Sequence, residues 1–223
     1  MAKRHSPPVT GEIYHVFNRS VALQPIIKSV RDYNHMLEIL QYYQFKDPPI
    51  RLSQFRNKLD EIKKEILNRL HKKGKLVEIY AFCLMPNHFH LLLKQLTDDG
   101  ISNYLRLIQN SYAKYLNIKS KRFGAVFQAG YKTVRIENDN QLIHVLRYIH
   151  INPLTSYVLD DKKGIYTYPY TSFIDYTSNE PRDFVDINFA SKYFSSKKKF
   201  IEFHLNQVDY QRSLDQIKHL LLE

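Results

Sequence analysis

Residues 75 to 95 read KLVEIYAFCLM, PN and HFHLLLKQ, and no other stretch constrains the fold as tightly. Two runs rich in apolar, β-branched and aromatic residues flank a Pro-Asn pair. The pattern predicts a strand over 75–85, a turn at Pro86 and Asn87, and a returning strand over 88–95. A hairpin this apolar needs covering layers, and the segments on either side have helical spacing. Tyr33, Met36, Leu37, Leu40 and Tyr43 predict a helix over Asp32 to Phe45, stopped by Pro48 and Pro49. Tyr104, Leu105, Ile108, Tyr112, Tyr115 and Leu116 predict another over Ile101 to Asn117, after the strand ends at Asp98, Asp99 and Gly100.

Two further strands complete a sheet. IYHVFNRS (13–20) is dense in apolar and aromatic residues, and YKTVRI (131–136) alternates. Asn138, Asp139 and Asn140 supply N-cap residues for a helix over Gln141 to Ile151, which Asn152 and Pro153 are expected to end. Leu59, Ile62, Ile66, Leu67 and Leu70 predict an amphipathic, heavily charged helix within Arg51 to Lys73. The order is strand, two helices, two strands, helix, strand, helix. This is an α+β chain, a ferredoxin-like split β-α-β-β-α-β unit with one antiparallel sheet covered by helices. Residues 1–160 read as that domain, with 51–73 as a helical segment. Residues 161–223 read as an extension packed on it, with Tyr/Pro/Ser-rich loops and a helix within Lys197 to Leu222.

On a strand, residues i and i+2 project from one face, so His88 and His90 point together while Phe89 points into the opposite layer. Two readings stand. The imidazoles form a rigid bidentate clamp for a divalent cation, or they are structural histidines satisfied by hydrogen bonds. A clamp needs a third donor. RYIHINP offers Asn152, with Tyr148 one turn before it on the same helix face. The plainer readings are a tyrosine packed on the sheet and an asparagine capping the helix before Pro153.

Charge points to the partner. Lys and Arg number 33 against 22 Asp and Glu, a formal +11 at pH 7. Such an excess favours polyanions through counterion release, while a basic surface with no bound partner is the bland alternative. The single cysteine, Cys83, excludes an intramolecular disulfide and most cysteine-based metal sites, and its apolar setting reads as core. Neither a membrane-spanning stretch nor a secretory leader is visible, so a cytoplasmic protein with no membrane partner is expected.

MPNHFHLLL, GAVFQAGYKTVRI and RYIHINPL, in this order and joined by YHVFNRS and YPYTSF, closely resemble the REP-associated tyrosine transposases. These are relatives of the HUH single-tyrosine transposases of bacterial insertion sequences. The resemblance implies that His88 and His90 are metal ligands, Tyr148 the nucleophile and Asn152 a third ligand. It also implies a divalent metal, Mg or Mn, and a 5′-phosphotyrosine intermediate. Single-stranded, hairpin-containing DNA is the implied substrate, nicked and rejoined by a monomer or homodimer. Lys119, Lys121, Arg122, Lys132 and Arg135 are the expected DNA contacts, with a solvated loop as the competing reading. Two other functions are carried: a hairpin-binding regulator that does not cut, and an HUH replication initiator or relaxase. The charged segment 51–73 departs from the family pattern.

Overall fold

The computed structural model describes residues 7–208. In chain order the sheet and its helices are β1 (Ile13–Arg19), α1 (Val30–Tyr43), α2 (Leu52–Arg56), α3 (Asp60–Lys73), β2 (Val77–Leu84), β3 (His88–Gln95), α4 (Gly100–Lys119), β4 (Lys132–Arg135) and α5 (Asp139–Thr155). The strands form one sheet in the order β2-β3-β1-β4. β1 and β4 run antiparallel, with Tyr14 opposite Arg135 and Phe17 opposite Lys132. Short helices α6 (Phe173–Thr177) and α7 (Lys197–Leu205) follow.

Two compact units divide these residues, and β2 and β3 contribute to both. The first comprises residues up to Glu78, Pro86–His88 and Leu93–Arg135; the second comprises Ile79–Met85, Phe89–Leu92 and the chain from Ile136. In the first, Val16 of β1, Met36, Ile39 and Leu40 of α1, and Ile101, Tyr104, Leu105, Ile108 and Tyr112 of α4 are fully buried. The buried phenols are satisfied by carbonyls: Tyr104 donates to Leu40 O and Tyr112 to Ile26 O. Gly100 starts α4 because a Cβ there would lie 2.4 Å from Leu76 O.

The differences from the sequence expectations have local causes. α1 begins at Val30 because Ser29 caps it, accepting from Asp32 N; Phe45 leaves the helix to bridge with Lys75. Segment 51–73 is two helices, not one. Asn57 closes α2 onto Gln54 O, and Leu59 is extended before α3 starts. Asp60 and Glu61 then lie in the first turn of α3 and Lys72 and Lys73 in its last, each sign matched to the helix dipole.

In the second unit, residues 167–186 cover the free edge of β2. Leu84 N donates to Tyr170 O, Ser172 N to Phe82 O and Asp186 N to Ile79 O. Arg182 secures this strip by binding Asp175 through two nitrogens while also donating to Pro169 O and Thr171 O. The C-terminal helix is α7, Lys197–Leu205; the remainder of the expected span from residue 209 lies outside the described residues.

Candidate active site on β3 and α5

The middle of β3 is buried on both faces, as a strand in the sheet interior must be. Phe89 is core, 1% exposed, and fixes the phase of the strand so that His88 and His90 share the other face. His88 is half-buried and His90 only 4% exposed. His90 owes its cover in part to Tyr148. The two rings meet edge to face, with centroids 5.3 Å apart and planes at 83°.

Asn87 orients His88. Its Nδ2 donates to Leu23 O at 3.1 Å, which leaves Oδ1 to accept, and His88 Nδ1 lies 2.6 Å from that oxygen. Because an amide oxygen can only accept, His88 Nδ1 carries the proton of this bond. Metal-ligating histidines are held in the same way, by a hydrogen bond from the other ring nitrogen.

α5 places Tyr148 and Asn152 on one face, one turn apart. Tyr148 is 36% exposed, whereas Asn152 is 3% exposed. The helix does not stop before Pro153. It continues to Thr155, because a proline in the last turn removes only one ladder bond and Ser156 closes the end onto Asn152 O and Leu154 O. Asn152 is thus a helix-interior residue and not a cap. Its Oδ1 is buried with no hydrogen-bond partner among the described residues. An orphaned buried acceptor is costly unless something positive completes it, and a cation does so. Among the described residues no three His, Cys, Asp or Glu side chains cluster as a metal site. Within the second unit, the His90 imidazole and the Asn152 amide oxygen are donor types that suit a hard or borderline divalent ion.

α5 is anchored from behind by residues that the sequence reading passed over. His150, the next residue but one after Tyr148, is fully buried, as are His204 of α7 and Ser172. His204 Nδ1 faces Phe200 O at 2.7 Å, His150 Nδ1 faces His204 Nε2 at 3.0 Å, and His150 Nε2 faces Ser172 Oγ at 2.9 Å. Burial holds both imidazoles neutral, His204 pushed down to about 3 and His150 well below its ordinary value. The proton order follows. Phe82 N donates to Ser172 Oγ, Ser172 to His150, His150 to His204, and His204 to the Phe200 carbonyl. Beside this chain, Arg147 lies over the Phe203 ring at 4.5 Å and contacts His144 Nδ1. In sequence these residues are 22 to 54 positions apart, with no local pattern linking them. His15 on β1 is a further missed imidazole, lowered to about 4 by burial; its signal was the alternation within IYHVF.

The expected DNA contacts occupy varied settings. Lys119 ends α4 in an ion pair with the buried Asp32, whose carboxyl is held down to about 2 with hydrogen bonds from Lys119, Tyr115 and Ser29 outweighing the opposing effect of burial. Arg122 donates to Ala125 O, Lys132 lies 6.0 Å from the Phe17 ring centroid, and Arg135 pairs with Glu12. Lys121 is exposed in a left-handed turn, with φ of 48°. Cys83 is buried with its thiol pushed up, and no helix among the described residues is long and apolar enough to cross a membrane.

Residues 48–152, which include β2, β3, α4, β4 and the tyrosine and asparagine of α5, match the family model described as transposase IS200 like. The fold is similar to the solved structure of a REP-associated tyrosine transposase bound to a REP hairpin. The TM-score is 0.55 at 15% identity, covering 84% of this chain and 96% of that one. No curated protein matches.

Proposed function

We propose that this chain, whose residues 48–152 match the family model described as transposase IS200 like, nicks and rejoins single-stranded, hairpin-containing DNA in a metal-dependent transesterification. The observation that carries the reading is the ring contact of His90 with Tyr148 on the helix whose Asn152 Oδ1 is buried and unmatched. The hairpin in the REP-associated relative supports the choice of substrate.

Tyr148 is the nucleophile. A free phenol has a pKa near 10 and is about a thousandth ionised at neutral pH, so its attack on a phosphodiester needs assistance. His88, His90 and Asn152 are the residues that would hold a divalent ion, Mg or Mn, which when bound polarises the scissile phosphate and offsets charge on its oxygens. The contact with His90 limits the orientations open to the Tyr148 ring, which favours in-line attack. Tyr148 Oη forms a bond to phosphorus as the bond to the 3′-oxygen breaks. The phenolic proton is lost and the leaving 3′-oxygen gains one. The 5′-phosphotyrosine conserves the phosphodiester, so a second 3′-hydroxyl can displace Tyr148 and seal a strand with no nucleotide cofactor. Lys121, Arg122, Lys132 and Arg135 contact backbone phosphates, with Lys119 set by Asp32 beside them. The protein acts in the cytoplasm on nucleoid DNA, as a monomer or homodimer.

The test is incubation with 5′- and 3′-labelled hairpin DNA in Mg or Mn. A covalent protein–DNA adduct carrying the 5′-phosphate is expected from the native chain and not from Tyr148→Phe. An adduct that survives Tyr148→Phe would overturn the assignment, and hairpin binding with no adduct from the native chain would favour a regulator that does not cut.

A further inference from the structure

The start of segment 51–73 closes one side of a cavity of about 710 Å3 in the first unit. α2 is seated on α1 by specific contacts. Leu52 is buried with its N–H on Tyr43 Oη, Tyr42 donates to Ile50 O, and the rings of Tyr42 and Phe55 meet at 4.9 Å. The cavity is lined by residues of α1, of α2 with its cap residue, and of α4. Six of them are cations: Arg31, Arg51, Arg56, Arg106, Lys114 and Lys119. No Asp or Glu is in the lining. Arg56 is neutralised by Glu38 and Lys119 by Asp32. Arg31, Arg51, Arg106 and Lys114 have no carboxylate partner among the described residues.

A second feature points to a ligand. His35 lines the same cavity, is 6% exposed, and its Nδ1 has no hydrogen-bond partner among the described residues. Its ring lies 4.1 Å from that of Tyr115, another lining residue. Ser53, Asn110 and Ser111 add neutral hydrogen-bonding groups. An excess of cations from three helices, a buried imidazole lacking a partner and an aromatic rim suit clustered phosphates with an attached base. The volume lies in the ordinary range for ligand sites, roughly 300 to 1,000 Å3.

We propose that this cavity is a second phosphate site, which takes consecutive phosphodiesters of a single nucleic-acid strand by means of Arg31, Arg51, Arg106 and Lys114. The choice of a strand over a free nucleotide rests on the proposed DNA-processing function. None of these residues belongs to the Tyr148 centre.

The experiment compares the full chain with Arg51→Gln/Arg106→Gln and, as a charge-matched control on α3, Lys64→Gln/Lys72→Gln. Each binds a labelled hairpin with a twenty-nucleotide single-stranded arm, and the same hairpin without the arm, over a series of KCl concentrations. Loss of two phosphate contacts predicts a log–log salt slope shallower by about 1.4 for the armed hairpin. The armless hairpin and the α3 control should match the native chain. Equal slopes in the cavity variant and the native chain, or an equal change in the α3 control, would overturn the site. Arg106→Glu/Lys114→Glu provides a second variant, expected to weaken armed binding at least as much. Inorganic pyrophosphate should compete with the armed hairpin alone; pyrophosphate bound tightly by a protein whose armed binding does not change in the variants would mean a free phosphate ligand and overturn the strand assignment. Adduct formation on a short oligonucleotide, measured in parallel, reads the Tyr148 centre separately: its loss in the native chain would count against the proposed chemistry while the salt slopes still decide the cavity.

Discussion

His88 and His90 lie two residues apart on one strand, whereas His150 and His204 come from helices 54 positions apart and meet in the interior of the second unit. The buried pair spends every ring nitrogen inside the protein, in a one-way hydrogen-bond chain from Phe82 N to Phe200 O. The strand pair is arranged differently. Asn87 fixes the His88 proton on Nδ1, and His90 lies against a half-open tyrosine. An imidazole with both nitrogens spent on neighbours stabilises a fold; the proposed ligand role of the strand pair instead needs one nitrogen of each ring to face a cation. Under the proposed function the same residue type would carry two roles, separated by the hydrogen-bond partners of each ring.

That contrast is open to direct challenge. His90→Ala should cut the rate of adduct formation by about a thousandfold, some 4 kcal/mol of barrier, while the thermal transition stays cooperative. A variant that forms adduct at the native rate would remove the strand pair from the chemistry. His150→Phe keeps the bulk but strands His204 Nε2 and Ser172 Oγ, and is expected to cost about 3 kcal/mol of stability. In a chain of this length that lowers the melting midpoint by about 6 to 12 °C; adduct formation well below the transition should remain within about tenfold of the native chain, on the order of 1.4 kcal/mol.

Acid should weaken the buried pair, with His15 and His35, also held down to about 4, adding to the same loss. Both imidazoles are neutral in the fold, and an unfolded histidine takes up a proton near pH 6.5, so the unfolded state binds more protons below that pH. Stability is undiminished above pH 6.5 and falls as pH drops toward about 3, by about 1.4 kcal/mol per pH unit for each histidine. Urea titrations at pH 7.5 and 5.0 measure it, and His204→Leu should flatten the slope; an unchanged slope would mean that His204 is not held neutral. Asn152→Leu is the smallest effect on folding. Its Oδ1 makes no hydrogen bond among the described residues, so the loss of stability should stay below about 1 kcal/mol, while the Mn concentration for half-maximal adduct rises at least tenfold. A large loss of stability with unchanged Mn dependence would reassign Asn152 to the core.

Much of this was legible along the chain. The β3 limits match HFHLLLKQ, since alternation and a Pro-Asn turn are local signals, and the order of strands and helices follows from hydrophobic period alone. The split of segment 51–73 into α2 and α3 was not legible, because the apolar spacing runs on past Asn57 while the break depends on α2 docking against Tyr42 and Tyr43. The extension of α5 through Pro153 was likewise hidden. A proline usually marks a boundary, but its cost in a last turn is small enough for packing to override. His150 was read past because its partners are remote in sequence.

The amino-acid sequence by itself determined the element types, the shared face of His88 and His90, the one-turn spacing of Tyr148 and Asn152, and the basic balance of the chain. Each depends on short-range geometry: a period of two on a strand, a period near four on a helix, or a simple sum of charges. Only the tertiary structure decided that His90 touches Tyr148, that Asn152 Oδ1 is buried and unmatched among the described residues, that His150 and His204 complete each other, and that α2 lines a cavity with α1 and α4. Burial and hydrogen-bond satisfaction belong to groups brought together from distant positions, and no local pattern encodes them.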